Sequence, residues 1–274
     1  MSFHWADGAT GTLLIRGSKL EVASWGPEPE KAPTLILLHE GLGCVSLWRD
    51  FPEKLAQATG FGVFAYSRAG YGASDPVPLP RPLDYMTREA VDVLPGLLDA
   101  IHLKSGVLIG HSDGASIAAV YAGVFSDHRV RGITLMAPHF FTEAIGLDQI
   151  ATAKKDYETT DLRAKLARYH ENVDVAFRGW NDAWLDPGFR AWNIAASIDA
   201  WDIPALVIQG EQDQYGTLAQ VEEVQRRTRT KVDTLILPEC RHAPHFDQPH
   251  LTLNKIADFT QNTLTSERKP EMSL

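Results

Sequence analysis

The 274 residues contain only two cysteines, Cys44 and Cys240, too few for a disulfide framework and in keeping with a reducing cytosol. Basic residues are in the minority, with 26 lysines and arginines against 35 acidic residues and a formal net charge of -9. Phosphate backbones and anionic membrane surfaces need a clustered positive patch, so nucleic acid and membrane are excluded as expected partners. Long apolar runs are missing too. The run from Leu35 to Leu38 is far too short to cross a bilayer, and Met1-Ser2-Phe3-His4-Trp5-Ala6-Asp7 lacks a basic region followed by an apolar stretch. The expectation is a soluble, non-secreted, cytoplasmic protein. There is no fixed-period repeat, and 44% hydrophobic with 22% charged residues excludes disorder.

What is present is a recurring alternation. Short apolar runs occur at Thr34–Leu38, Val63–Tyr66, Val107–Ile109, Val130–Met136, Ala205–Ile208 and Thr234–Leu237, each strand-length and without polar interruption. Such runs suit parallel strands covered on both faces. Amphipathic stretches between them, such as Arg88–Leu103 and Leu218–Thr228, supply the covering helices. Ahead of these, Gly11–Trp25 reads as two alternating segments around Arg16-Gly17-Ser18, an antiparallel hairpin at the sheet edge. The fold class is therefore α/β, with a mostly parallel central sheet flanked by helices.

The alternation breaks between Pro138 and Ala200, where no convincing strand occurs and Phe177, Trp180, Trp184, Phe189 and Trp192 accumulate among charges. This reads as a helical cap insertion, residues 138–200, in a core domain of residues 1–137 and 201–274. It is expected over the carboxyl ends of the strands, where open α/β sheets bind ligands. Most of its aromatics are expected to pack the insertion's own small core. The polar stretch Thr265–Leu274 is expected to fray.

Val107-Leu108-Ile109 runs directly into Gly110-His111-Ser112-Asp113-Gly114 and then into the small-residue stretch Ala115-Ser116-Ile117-Ala118-Ala119. This is a strand, a sharp turn and a helix. Ser112 at the turn would be lifted off the sheet to a helix N-terminus, whose free NH groups favour developing negative charge. A serine hydroxyl is a poor nucleophile alone and needs a histidine base held by a carboxylate. Two later strands end in Gln209-Gly210-Glu211-Gln212-Asp213 and Pro238-Glu239-Cys240-Arg241-His242, which bring carboxylates and a histidine to the same sheet edge. Glu211 competes with Asp213, and His245 and His250 compete with His242. A His-x-x-His-x-Asp string also hints at metal, but it spans Pro244 and has no partner cluster, so no metal and no cofactor are expected.

With His39-Glu40-Gly41-Leu42-Gly43 after the first parallel strand and the Ser67–Ser74 glycine-rich turn after the next, these motifs resemble the α/β-hydrolase family in order and approximate spacing. The resemblance spans most of the chain. It implies Ser112 as nucleophile, Asp213 (from the family's G-x-x-D) as acid and His242 as base, with the Gly41 and Asp113 amides as the oxyanion hole. It gives the Ser67–Ser74 turn a structural role. It departs at Glu40, where the family usually has glycine. Glu40 either salt-bridges within its loop or faces the pocket and selects polar or cationic substrates. Glu40, Leu42, His111, Phe140, Trp180 and Trp184 are the candidate pocket residues. The expected partner is a small-molecule substrate, and the expected function is a carboxylesterase-like serine hydrolase acting on a small ester. Hydrolysis of a carbon–carbon bond in a ring-cleavage dioxo acid, of a lactone or of an amide is the alternative, with a small-molecule receptor behind them. An aromatic cap surface serves equally as lid or as homodimer interface.

Overall fold

The structure is a computed structural model that describes residues 3–265. Eight strands form one sheet in the order β1-β2-β4-β3-β5-β6-β7-β8. They are β1 (Ala9–Ile15), β2 (Ser18–Trp25), β3 (Thr34–Leu38), β4 (Gly62–Tyr66), β5 (Gly106–His111), β6 (Val130–Met136), β7 (Ala205–Gly210) and β8 (Val232–Leu237). The β1–β2 hairpin pairs antiparallel onto the edge at β4, and every later pairing is parallel.

Successive side chains of a strand point to opposite faces. In β3 this sends Ile36 and Leu38 into one core and Leu35 and Leu37 into the other. The helices that seal these faces are α1 (Phe51–Thr59), α2 (Tyr85–Arg88), α3 (Leu94–Ala100), α4 (Asp113–Val124), α8 (Ala219–Arg227) and α10 (Pro249–Thr265). Each fully buried Leu or Ile contributes about 1.5–3 kcal/mol, which is why the unbroken apolar runs commit to this layer. The continuous helix expected over Arg88–Leu103 instead starts at Tyr85 and passes through a widened turn at Glu89–Val93 before α3. Pro95 has no amide to donate to the preceding turn, and the wider turn absorbs the mismatch.

Between β6 and β7 the chain forms α5 (Ala144–Thr159), α6 (Leu162–Leu166) and α7 (Val173–Leu185), followed by short tight turns at Pro187–Ala191 and Ala195–Ala200. An isolated bridge between Phe141 and Asn193 ties the two ends of this insertion together. Tyr157 stacks on Phe177 at 3.7 Å, and Trp184, Phe189 and Trp192 form a second aromatic group. A last short helix, α9 (Pro244–Asp247), precedes α10. Of the tail expected to fray, Thr265 closes α10 and residues 266–274 lie outside the described residues. Among the described residues no helix is long and apolar enough to cross a membrane.

Candidate active site

Ser112 sits between the end of β5 and the start of α4 with φ 53 and ψ -118, a backbone conformation that costs a non-glycine residue about 1–3 kcal/mol. The surroundings enforce it. The Ser112 amide donates to Met136 O at 2.9 Å, and its carbonyl accepts from Ala115 N and Ser116 N. A Cβ on Gly110 would strike the Gly114 backbone, and one on Gly114 would strike the Leu38 backbone, so both glycines are needed for β5 and α4 to approach β3. The Asp113 amide lies in the first turn of α4, where the helix itself offers no carbonyl partner.

His242 and Asp213 come from the loops after β8 and β7. The loops are stitched together by Gln212 N donating to Cys240 O at 2.9 Å. His242 Nδ1 lies 2.9 Å from both carboxylate oxygens of Asp213. Burial alone would raise the Asp213 pKa, but the His242 imidazole and the Tyr215 amide pull it down to about 2. Asp213 is therefore ionised at neutral pH. The competing Glu211 is exposed. His245 is buried against Trp48 and Phe51, and His250 is exposed on α10, so neither shares the position of His242.

The loop after β3 is held from below. Arg68, 1% exposed, donates through Nη1 to His39 O and through Nη2 to Glu40 O at 2.9 Å, and its Nη2 lies 3.8 Å from Asp113 Oδ2. One guanidinium thus grips two carbonyls of the loop after β3 while facing the residue after Ser112. Tyr85 donates to the same Asp113 oxygen at 2.5 Å, and Trp184 donates to the Tyr85 hydroxyl at 3.0 Å. His39 accepts from Arg68 N and donates to Glu40 O. From the insertion, His170 Nδ1 accepts from Gly72 N at 2.9 Å while Nε2 donates to Leu42 O at 3.0 Å. The carbonyl and the amide fix this tautomer as neutral. Trp180 packs so closely on Gly41 that any Cβ there would enter the indole.

These elements enclose a cavity of about 110 Å³ lined by Glu40, Gly41, Leu42, Ser112, Asp113, Trp180, Trp184 and His242 among others. Two expected pocket residues are elsewhere. Phe140 is fully buried against Trp201, because its amide is drawn to the buried Gln220 side chain. His111 lies behind the wall, where its Nε2 donates to His242 O at 2.7 Å. His139, Ile150 and Tyr215 line the cavity and were not expected. His139 opens the insertion directly after β6, a strand-end position that could have flagged it. Arg68 carries no such signal beyond its place in the Ser67–Ser74 turn. Burial, and then His242, push the His139 pKa down to about 3. Among the described residues no cluster of three His, Cys, Asp or Glu side chains is placed to hold a metal ion.

Residues 33–179, more than half of the chain, match the α/β hydrolase fold family. The chain belongs to that family. Epoxide hydrolase 3 of Xenopus tropicalis is 22% identical to this hydrolase-fold chain over 302 residues, covering 96% of it and 81% of the frog protein. Epoxide hydrolase 2 of Siraitia grosvenorii is 29% identical over 213 residues, covering 69% of this chain and 63% of the plant protein. Among solved structures, the enol-lactonase from Burkholderia xenovorans LB400 matches with a TM-score of 0.71 at 19% identity, over 91% of this chain and 99% of that one. At that identity the structural likeness speaks for the fold alone.

Proposed function

We propose that the protein is a serine hydrolase of small carboxylic esters, working through an acyl-enzyme on Ser112. The observation that carries this reading is that one cavity is lined by Ser112, the Asp213-paired His242, Gly41 and Asp113. In this reading His242 takes the Ser112 proton as the hydroxyl attacks the carbonyl, and the amides of Gly41 and Asp113 receive the developing oxyanion. His242 then protonates the leaving alcohol. Water, deprotonated by the same histidine, attacks the acyl-serine, and Ser112 leaves with its proton restored. Asp213 orients the imidazole and stabilises its charged form. Residues 138–200 act as a cap that walls the cavity on the side opposite the strand ends.

The family membership supports a hydrolase, and the names of the relatives raise epoxides as the second substrate class. The chemistry of Ser112 argues against it. A serine that opened an epoxide would be left as an ether, which an imidazole-activated water does not cleave, whereas an acyl-serine turns over.

The test is a panel of p-nitrophenyl esters of increasing acyl length on wild type and Ser112→Ala, with fluorophosphonate labelling of both. Hydrolysis and labelling in the wild type alone are expected, with kcat/KM down at least about 10³-fold in the variant. Retained hydrolysis in Ser112→Ala, or no label on Ser112, refutes the mechanism.

A further inference from the structure

Glu40 is the one oxyanion-loop residue that departs from the family pattern, and it lines the cavity beside Gly41. Its Oε2 lies 3.6 Å from His111 Nδ1. Because His111 Nε2 is committed as donor to His242 O, Nδ1 carries a proton only when that ring is charged. Burial disfavours the Glu40 carboxylate, yet His111 and the loop around it hold the group well below the usual carboxylate range. The charge is therefore present at neutral pH. The Glu40 side chain keeps 28% of its exposure. One carboxylate oxygen faces His111, and the exposed part of the group is open to solvent or a ligand.

The rest of the wall complements that charge. Trp180, Trp184 and Tyr215 supply aromatic surface, which attracts cations through the ring quadrupole. No lysine or arginine is among the described lining residues, and His139 is neutral at neutral pH. A carboxylate-bearing substrate would meet Glu40 with nothing to pair its own charge, and burying an unpaired charge is costly.

We infer that this cavity selects substrates carrying an ammonium or other cationic nitrogen group and rejects those carrying a carboxylate, with Glu40 as the specificity-determining residue. The hydrolytic half of this inference rests on the serine-esterase reading; the binding half does not. It also weighs against the dioxo acids of carbon–carbon cleavage, which are anions.

The experiment compares acetylcholine, its neutral isostere 3,3-dimethylbutyl acetate and the anionic 3-acetoxypropanoate, following acid release on wild type and Glu40→Gln. The wild-type kcat/KM is expected to rank cation, neutral, anion, with steps of about tenfold or more that fall mainly on KM. In Glu40→Gln the cation-to-anion ratio should collapse by at least about tenfold, whatever happens to the absolute rates. Wild-type protein gives a check that needs no variant: choline should quench tryptophan fluorescence and 3-hydroxypropanoate should not. A cation-to-neutral ratio near one, a ratio unmoved by Glu40→Gln, or equal quenching by both ions overturns the inference. If no ester is hydrolysed and Ser112 takes no fluorophosphonate label, the esterase reading fails separately. Choline quenching that is lost in Glu40→Gln would still uphold the charge selection.

Discussion

Two regions meet at the cavity and are built in different ways. The strand ends of β3, β5, β7 and β8 present Gly41, Ser112, Asp213 and His242 on backbone held by parallel pairing and by the close approach of Gly110, Gly114 and Leu38. The insertion contributes Trp180, Trp184 and Ile150 from helices joined through aromatic contacts such as Tyr157 on Phe177, and reaches the strand ends through His170, the Trp184–Tyr85 bond and the Trp180–Gly41 contact. A rigid sheet edge places reacting groups to within fractions of an ångström, which chemistry requires. Side-chain packing on an insertion tolerates substitution, which suits the choice of substrate. The difference predicts where damage falls: on turnover at the strand ends, and on binding and on its own attachment in the insertion.

The largest effect should come from the strand-end side. Asp213→Asn keeps the shape but removes the charge that orients and stabilises His242, and it is expected to lower kcat by about 10³–10⁴-fold with little change in KM. Steady-state kinetics on a neutral ester measures this. A loss confined to KM would place Asp213 on the binding side.

Acid should weaken both regions together. His39, His139, His170 and His245 are buried, and in each the first cause lowering the pKa is burial. Below pH 6.5 the unfolded chain takes up protons at these sites that the folded state refuses. Stability is therefore fully present above the unfolded value and falls as pH drops from about 6.5 toward 3. Each histidine contributes a slope of up to about 1.4 kcal/mol per pH unit. Urea denaturation at pH 7.5 and pH 5.5 should show several kcal/mol of loss, and a flat profile would contradict the neutral buried histidines.

The contact between the regions is tested by Gly41→Ala. The added methyl enters the Trp180 indole, and activity is expected to fall about 10²-fold. Adding Trp180→Ala should restore part of it, which a defect confined to the loop would not allow. Coupling in this double-mutant cycle is the readout.

The smallest effect is assigned to the insertion's anchorage. His170→Phe removes the bonds to Gly72 N and Leu42 O, leaving a buried donor and acceptor unsatisfied at about 1–3 kcal/mol. Faster limited proteolysis within residues 138–200, with KM rising more than kcat falls, is expected. Unchanged protease resistance would mean that the insertion is held elsewhere.

Much of this architecture was legible in the chain. Unbroken apolar runs marked the parallel strands, and the hairpin around Arg16-Gly17-Ser18 announced the antiparallel edge. Ser112 could be singled out because strand, turn and helix signals are local. Phe140 was misjudged because its side chain is committed to the core near Trp201, which no neighbouring residue reveals. His111 was taken for pocket lining, whereas its ring is spent on the carbonyl of His242, 131 positions away. Arg68 passed as part of a structural turn, although it grips the loop bearing Gly41.

By itself the sequence determined the layered sheet, the place of the strand-turn-helix at Ser112 and a short set of acids and histidines at nearby strand ends, because periodicity and turn chemistry act over a few neighbouring residues. Tertiary structure alone decided that Asp213 rather than Glu211 meets His242, that Arg68 and His170 hold the loop after β3, and that Glu40 stands between His111 and an aromatic cavity. Those contacts join residues tens to more than a hundred positions apart. They follow from how the packed sheet edge and insertion close on each other, and no local pattern encodes that closure.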